Sequence, residues 1–318
     1  MTAPDPALVE RFRADLVALS GAGDRLLLAV SGGPDSLAML LLAHAAVPDR
    51  IVCATVDHGL RAASADEAAM VAEICAERRI LHATLHPDPP LEPGGNVQAR
   101  ARTARYDALA THATATGCAA ILTAHHADDQ AETLLMRASR GSGVDGLAGV
   151  RAAGHWCDTP VLRPLLGWRR AELVALVEAA GLAAVDDPSN RDPAHDRPRI
   201  RALIAASADL DPAGLARSAG ALADASDALR WTVAKLTADR IGENDLAITV
   251  DPAGLPREYR RRLLAEALAR IGETAPRGPA LDRLLEALER GEGGTLGGAH
   301  AHGGGALWRI VPAPPRRI

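Results

Sequence analysis

The sequence is short of several things, and each shortage narrows what the chain can be. It holds one lysine, Lys235, among 35 basic residues, so a phosphate loop of the Gly-Lys type cannot be built. Aromatic residues make up 2% of it, which disfavours a surface that stacks successive bases on rings. The four cysteines (Cys53, Cys75, Cys118, Cys157) show no C-x-x-C spacing. That argues against a zinc ribbon, and a chain this long has little need of a disulfide framework. Three of the four lie in apolar surroundings and read as buried thiols acting as small hydrophobes. No run reaches the roughly 18 apolar residues of a membrane helix. The opening, MTAPDPALVERF, places acids before its first apolar run, unlike a secretory signal. A cytoplasmic protein without a membrane partner is expected.

What is present suffices for two cores. The chain has 318 residues, 48% of them hydrophobic, with a formal net charge of −5. Domains of about 100–200 residues make two the natural number. Residues 215–318 carry 15 basic against 13 acidic side chains, net +2, while the remainder carries 20 against 27, net −7. The relatively basic tail hints at a polyanionic partner.

Apolar runs at 25–30 (RLLLAV), 51–56 (IVCATV), 80–85 and 119–124 (AAILTA) read as strands. Helical stretches at about 6–19, 36–46, 64–79, 96–116 (with Asn96 as N-cap) and from 127 surround and alternate with them. Continuous apolar strands alternating with helices predict an α/β fold, a doubly wound and mostly parallel sheet covered on both faces. GSGVDGLAGV (141–150) reads as a loop, 160–182 as a helix ended by Gly181, and 186–199 as too rich in turn residues for either element. Helical character returns at about 213–240, 256–271 and 279–290, and the glycine-rich close predicts a hairpin. The expected division is a catalytic domain at 1–210 and a smaller, mainly helical domain at 211–318.

Chemistry concentrates after the first strand, in Ser31-Gly32-Gly33-Pro34-Asp35-Ser36. Ligands of open parallel sheets bind at the carboxyl ends of strands, where a helix N-terminus offers free N–H groups to an anion. Gly32 and Gly33 permit close approach to phosphate oxygens, and Ser31 and Ser36 add hydroxyl donors. Asp35 is electrostatically wrong for phosphate unless a cation lies between, so it reads as a Mg²⁺ ligand. In HHADDQAET, Asp128 and Glu132 are four apart and Asp129 and Glu132 three apart, so the carboxylates share a helix face. They suit a helix start, or else hold Mg²⁺ or an ammonium-bearing substrate. His300 and His302 lie among glycines and read as a loop rather than a metal pair.

SGGPDS resembles the PP-loop of the N-type ATP pyrophosphatases, which cleave ATP to AMP and pyrophosphate. VDHGLR (56–61), ARTARY (101–106), TAHHADDQAET (123–133), RGSG (140–143), RPLL (163–166) and DPSN (187–190) follow in order. Together they resemble the tRNA(Ile)-lysidine synthetases, densely over about residues 20–205 and weakly beyond. The resemblance implies ATP as substrate with Mg²⁺, free L-lysine as the second substrate and the CAU-anticodon isoleucine tRNA as the third, and it allows a homodimer. It implies catalytic roles for Asp35, Arg102, His125 and Asp129, ATP binding by residues 31–36, and lysine binding by Asp129 and Glu132. Arg102 is the arginine expected at phosphate or leaving pyrophosphate; Arg105, Arg197 and Arg201 are further phosphate or tRNA contacts. Arg260, Arg261 and Arg262, the densest basic cluster of the tail, are expected tRNA contacts. The chain departs from the family at Arg197-Pro198-Arg199-Ile200-Arg201, where Pro198 stands in place of an asparagine.

Two rivals remain at this stage. A PP-loop tRNA thiolase is disfavoured because its resemblance calls for cysteine pairs. A nucleotide- or tRNA-binding protein without turnover is disfavoured by the intact Asp35, His125, Asp129 and Glu132.

Overall fold

A computed structural model describes residues 3–59, 63–89, 97–185, 196–244, 247–272, 276 and 278–313. The chain divides into two compact units, 1–221 and 222–318. The cut falls inside a long helix, at a position somewhat beyond the expected 210/211 boundary.

The first unit opens with α1 (Pro6–Val17) and β1 (Leu26–Ala29), then α2 (Pro34–Ala46), β2 (Ile51–Val56), α3 (Ala63–Glu77), β3 (Leu81–Leu85), α4 (Val97–Ala115), β4 (Ala120–Leu122) and α5 (Ala127–Ala138). These match the expected strands and helices to within a few residues at each end. The expected cap Asn96 and the DPSN stretch lie outside the described residues. Beyond α5 come α6 (Val144–Leu147), the strands β5 (Ala153–Trp156) and β6 (Thr159–Leu162), α7 (Arg170–Ala179) and α8 (Asp196–Ala206).

Two readings of this region are corrected. Residues 160–182 are not one helix: Thr159–Leu162 is a strand beside β4, and α7 begins only at Arg170. Pro164 and Gly167 interrupt any helical run between them. Residues 196–199, read as neither element, begin α8. Pro198 is tolerated there because N–H groups of a first helical turn have no partner within the helix.

The sheet order is β3-β2-β1-β4-β6-β5, parallel throughout except for the antiparallel edge strand β5. Alternation along β1 shows why these strands read as continuous apolar runs. Leu26 and Leu28 face one core with Phe12, Leu16, Leu40, Val71 and Leu173, whereas Leu27 faces the other with Tyr106, Leu109 and Ala113 of α4. Both faces are therefore buried, as a parallel sheet requires. Chain order runs outward in both directions from the β1–β4 pair, which makes the carboxyl ends of these two strands the switch point where ligands of such sheets bind.

The second unit holds the last turns of α9 (Pro212–Arg240), then β7 (Ile241–Asn244), β8 (Ala247–Val250), α10 (Arg257–Ile271), α11 (Pro279–Glu289), β9 (Gly293–Leu296), β10 (Ala299–His302) and β11 (Trp308–Pro312). The expected hairpin is β9–β10, but it belongs to a five-stranded antiparallel sheet, β7-β8-β11-β10-β9. Its core joins Leu263, Leu264 and Leu285 of the helices to Val250, Ala301 and Ile310 of the sheet. β7 and β8 were not foreseen: four residues each, they are too short to show a period.

Candidate active site at the β1–β4 switch point

The loop after β1 is shaped from within. Gly32 has φ +85°, and a Cβ there would lie 3.1 Å from both Met70 Cε and Val185 Cγ2, so no other residue fits without strain. Its carbonyl accepts from the Val185 N–H at 2.9 Å. A Cβ on Gly33, by contrast, would meet nothing nearer than Ser31 Oγ at 3.8 Å. Gly33 is the N-cap of α2 and has no capping side chain, so the first-turn N–H groups of Asp35 and Ser36 are left for an incoming anion. Ser36 is buried and occupied inside the loop: its Oγ accepts from Ser31 N–H at 3.1 Å and donates to the Gly33 carbonyl at 2.9 Å. Its hydroxyl holds the loop's curvature rather than facing outward, while Ser31 is exposed.

Across the crevice, α5 starts immediately after β4, and its N-cap is His126. The side chain accepts from Asp129 N–H at 3.4 Å, and Asp129 Oδ2 accepts from His126 N–H at 3.1 Å, a reciprocal capping box. His126 is 2% exposed and lies among three carboxylates: Asp35 Oδ2 at 3.5 Å, Asp129 Oδ2 at 3.6 Å and Asp128 Oδ2 at 3.8 Å. Burial alone would lower its pKa, but the hydrogen bond to Asp35 and the charges of Asp129, Asp35 and Asp128 outweigh it and raise the value. His126 thus connects the nucleotide-loop acid to the acids of α5.

His125 behaves in the opposite way. Its Nδ1 lies 3.0 Å from Thr123 Oγ1, and its pKa is pushed down to about 3. Burial is the main cause, and Arg163, Arg102 and Arg197 add to it against the opposing charge of Asp129. At neutral pH it is an uncharged imidazole.

The carboxylates of α5 do not act as one cluster. Asp128 turns toward the start of α7, where it accepts from the Arg170 N–H at 2.8 Å and from Arg169 Nε at 3.2 Å. Asp129 and Glu132 turn toward α8. Glu132, 2% exposed, accepts from Arg201 Nε at 2.7 Å, and Arg197 Nε lies 3.3 Å from its other oxygen. Arg197 Nη2 lies 3.9 Å from Asp129 Oδ1. Arg170 Nε lies 3.8 Å from Asp35 Oδ1, a buried oxygen with no hydrogen-bond partner among the described residues. Asp57, after β2, closes its own turn by accepting from Gly59 N–H and Ser64 Oγ, and these bonds hold its pKa low.

Arg102 and Arg105 flank the ring of Tyr106, their guanidinium carbons 5.0 and 5.3 Å from its centroid, and Trp156 stacks on the same ring at 5.0 Å. Arg102 is exposed and Arg105 partly buried. Burial lowers the Arg105 pKa, and Arg163 is shifted the same way for the same reason. Arg260, Arg261 and Arg262 belong to α10 in the second unit, and each opposes a carboxylate there: Glu289 at 3.0 Å, Asp282 at 2.7 Å and Glu258 at 2.7 Å. The densest basic cluster of the tail is thus paired with carboxylates of its own unit.

Sequence reasoning missed His126, Arg163, Arg169 and Arg170. The H-x-x-D spacing of a capping box signals His126, and two arginines opening a helix, against its dipole, signal a nearby acid.

A glycine-rich loop on a helix start, at the switch point of a parallel sheet and facing a carboxylate–histidine cluster, defines a nucleotide-binding α/β protein of the PP-loop class. The family profile described as a PP-loop domain matches residues 8–207. The fold is similar to that of a solved U34-tRNA thiolase, NcsA, from Methanococcus maripaludis with its 4Fe-4S cluster (TM-score 0.57, 17% identity, covering 69% of this chain and 79% of that one). A tRNA(Ile)-lysidine synthase of Novosphingobium aromaticivorans is 52% identical over 311 residues, 96% of this chain and 94% of that protein. One from Zymomonas mobilis is 43% identical over 302 residues, 92% of this chain and 90% of that protein. The chain belongs to the tRNA(Ile)-lysidine synthase family.

Proposed function

We propose that this chain converts the wobble cytidine of the CAU-anticodon isoleucine tRNA to lysidine, using ATP and free L-lysine. The observation that carries this reading is the pairing of an anion-receptive loop with a carboxylate–histidine cluster in one crevice, within a chain so closely related to named lysidine synthases. In the first step the cytidine O2 attacks the α-phosphorus of ATP and pyrophosphate leaves. In the second, the ε-amine of lysine attacks carbon 2 and AMP leaves.

Residues 31–36 bind ATP in this scheme, the α2 N–H groups of the first turn taking phosphate oxygens. The orphaned Asp35 Oδ1 fits a cation, and among the described residues no group of three or more metal-binding side chains could hold one alone. That donor set suits a Mg²⁺ carried in by the nucleotide, which usually binds one or two carboxylates together with phosphates. Mg²⁺ would supply charge neutralisation on the phosphates. Arg102 faces the departing pyrophosphate, with Arg105 beside it; the delocalised guanidinium suits that charge. Asp129 and Glu132 hold the lysine, and Asp129 accepts the proton that its ε-ammonium must lose before attack. Neutral His125 donates or accepts a hydrogen bond at the reacting base without adding charge. The second unit is assigned to tRNA binding.

The thiolase reading finds no support in the thiols. Cys53 and Cys75 are buried in the core, Cys118 is partly buried, and only Cys157 is exposed. The deciding experiment is nucleoside analysis of the isoleucine tRNA after incubation with protein, ATP, Mg²⁺ and lysine. Lysidine is the expected product; AMP release that leaves cytidine unmodified, or a thiolated base, would refute the reading.

A further inference from the structure

We propose that Arg197 is a stand-in for the substrate's ammonium group: it occupies the seat between Asp129 and Glu132 when lysine is absent, and L-lysine displaces it. This rests on the lysine seat proposed above, and it adds an exchange of cations within that seat.

The two arginines of α8 hold Glu132 in unequal ways. Arg201 Nε donates a hydrogen bond to Oε1 at 2.7 Å. Arg197 lies within ion-pair distance of Oε2, 3.3 Å, and of Asp129 Oδ1, 3.9 Å, but neither approach is a hydrogen bond. Glu132 Oε2 is consequently a buried carboxylate oxygen without a donor among the described residues. Leaving such an oxygen unsatisfied is unfavourable, and the site is incomplete until a donor arrives. A primary ammonium brings three donors on a compact centre and can satisfy Oε2 and Asp129 together, which the extended guanidinium does not do here.

Removing Arg197 from the seat also costs little. Its side chain is 46% exposed, so its pairing is screened by solvent. α8 buries none of its residues, so the side chain can swing out without opening a core. Arg201 keeps one oxygen of Glu132 compensated throughout. The class of ligand is a primary-amine cation with a flexible stem, and the arginine released becomes an uncompensated cation beside His125, available to phosphate.

The test is calorimetric titration of L-lysine into the full-length protein and into two variants. Arg197→Ala removes the competitor, so lysine should bind about two- to fivefold more tightly than to the wild type. Asp129→Asn removes part of the seat and should weaken binding about tenfold or more. If Arg197→Ala bound lysine equally or more weakly while Asp129→Asn still weakened it, the exchange would be overturned and the seat would stand. If neither variant changed the affinity, the seat itself would be refuted. Arg197→Gln, which keeps the side-chain stem as far as Cδ without the charge, gives the same comparison should the alanine variant not fold.

Discussion

Asp35 is an acid in the first turn of a helix, where the dipole favours it, and at the mouth of a phosphate loop, where phosphate does not. One of its oxygens has no hydrogen-bond partner among the described residues, so the carboxylate is held ready for a cation. Asp35→Asn should abolish AMP formation at ordinary Mg²⁺ while circular dichroism stays unchanged; near-wild-type turnover would remove the residue from the chemistry. His125 makes a different prediction. Its pKa is about 3 in the folded chain against an ordinary 6.5, so the unfolded chain takes the proton first as pH falls. Its contribution to stability is complete above about pH 6.5 and is lost progressively down to about pH 3. The slope is at most about 1.4 kcal/mol per pH unit. In urea melts at stepped pH, His125→Asn should flatten that acid limb; an unaltered limb would assign it to other groups. At this scale the sequence was informative where chemistry is local. SGGPDS and the HHADDQAET acids announce themselves by residue type. Arg163, Arg169 and Arg170 did not, because their partners Tyr106, Asp128 and Asp35 lie far away along the chain.

Among the elements, the four buried parallel strands and their helices were legible because both faces of β1 are apolar. β6 was misread because TPVL leads into apolar residues with no polar alternation to mark it as a strand. α8 was hidden by its proline and charges, and its structure explains why hydrophobic periodicity is no guide to it: it buries no residue and meets α5 through arginine–carboxylate pairs. Arg140 also pairs with Asp196. A helix attached in this way should loosen with salt, because partly exposed pairs weaken as the screening length falls from about 30 Å at 0.01 M to about 3 Å at 1 M. Amide exchange measured at low and high salt should quicken across 196–206 and stay constant across α5, whose Ala131 and Leu134 are buried. Equal protection of both helices at both salts would show that something other than charge holds α8.

For the molecule as a whole, two units and a relatively basic tail could be read from composition, but not how the tail's charges are used. Arg260 and Arg261 tie α10 to α11 through Glu289 and Asp282, and Arg262 pairs along its own helix with Glu258. Cations already matched by carboxylates release few counterions when RNA binds. Replacing all three by alanine should lower the stability of the second unit by about 1–3 kcal/mol in thermal melts. The slope of tRNA affinity against salt should change by less than about one. A slope flattened by about three would instead return these arginines to the RNA surface.

The crevice has a further property at this scale. Asp35, Asp128, Asp129 and Glu132 face Arg169, Arg170, Arg197 and Arg201, four negative groups against four positive that offset one another. Ligands entering such a network change partnerships more than they change total charge. Phosphates that draw an arginine away leave a carboxylate wanting a cation, and an ammonium that takes a carboxylate frees an arginine for phosphate. ATP and lysine should therefore bind cooperatively although one is an anion and the other carries the amine. Linkage fixes the form of the result: a non-hydrolysable ATP analogue should tighten lysine binding, and lysine should tighten the analogue's binding by the same factor.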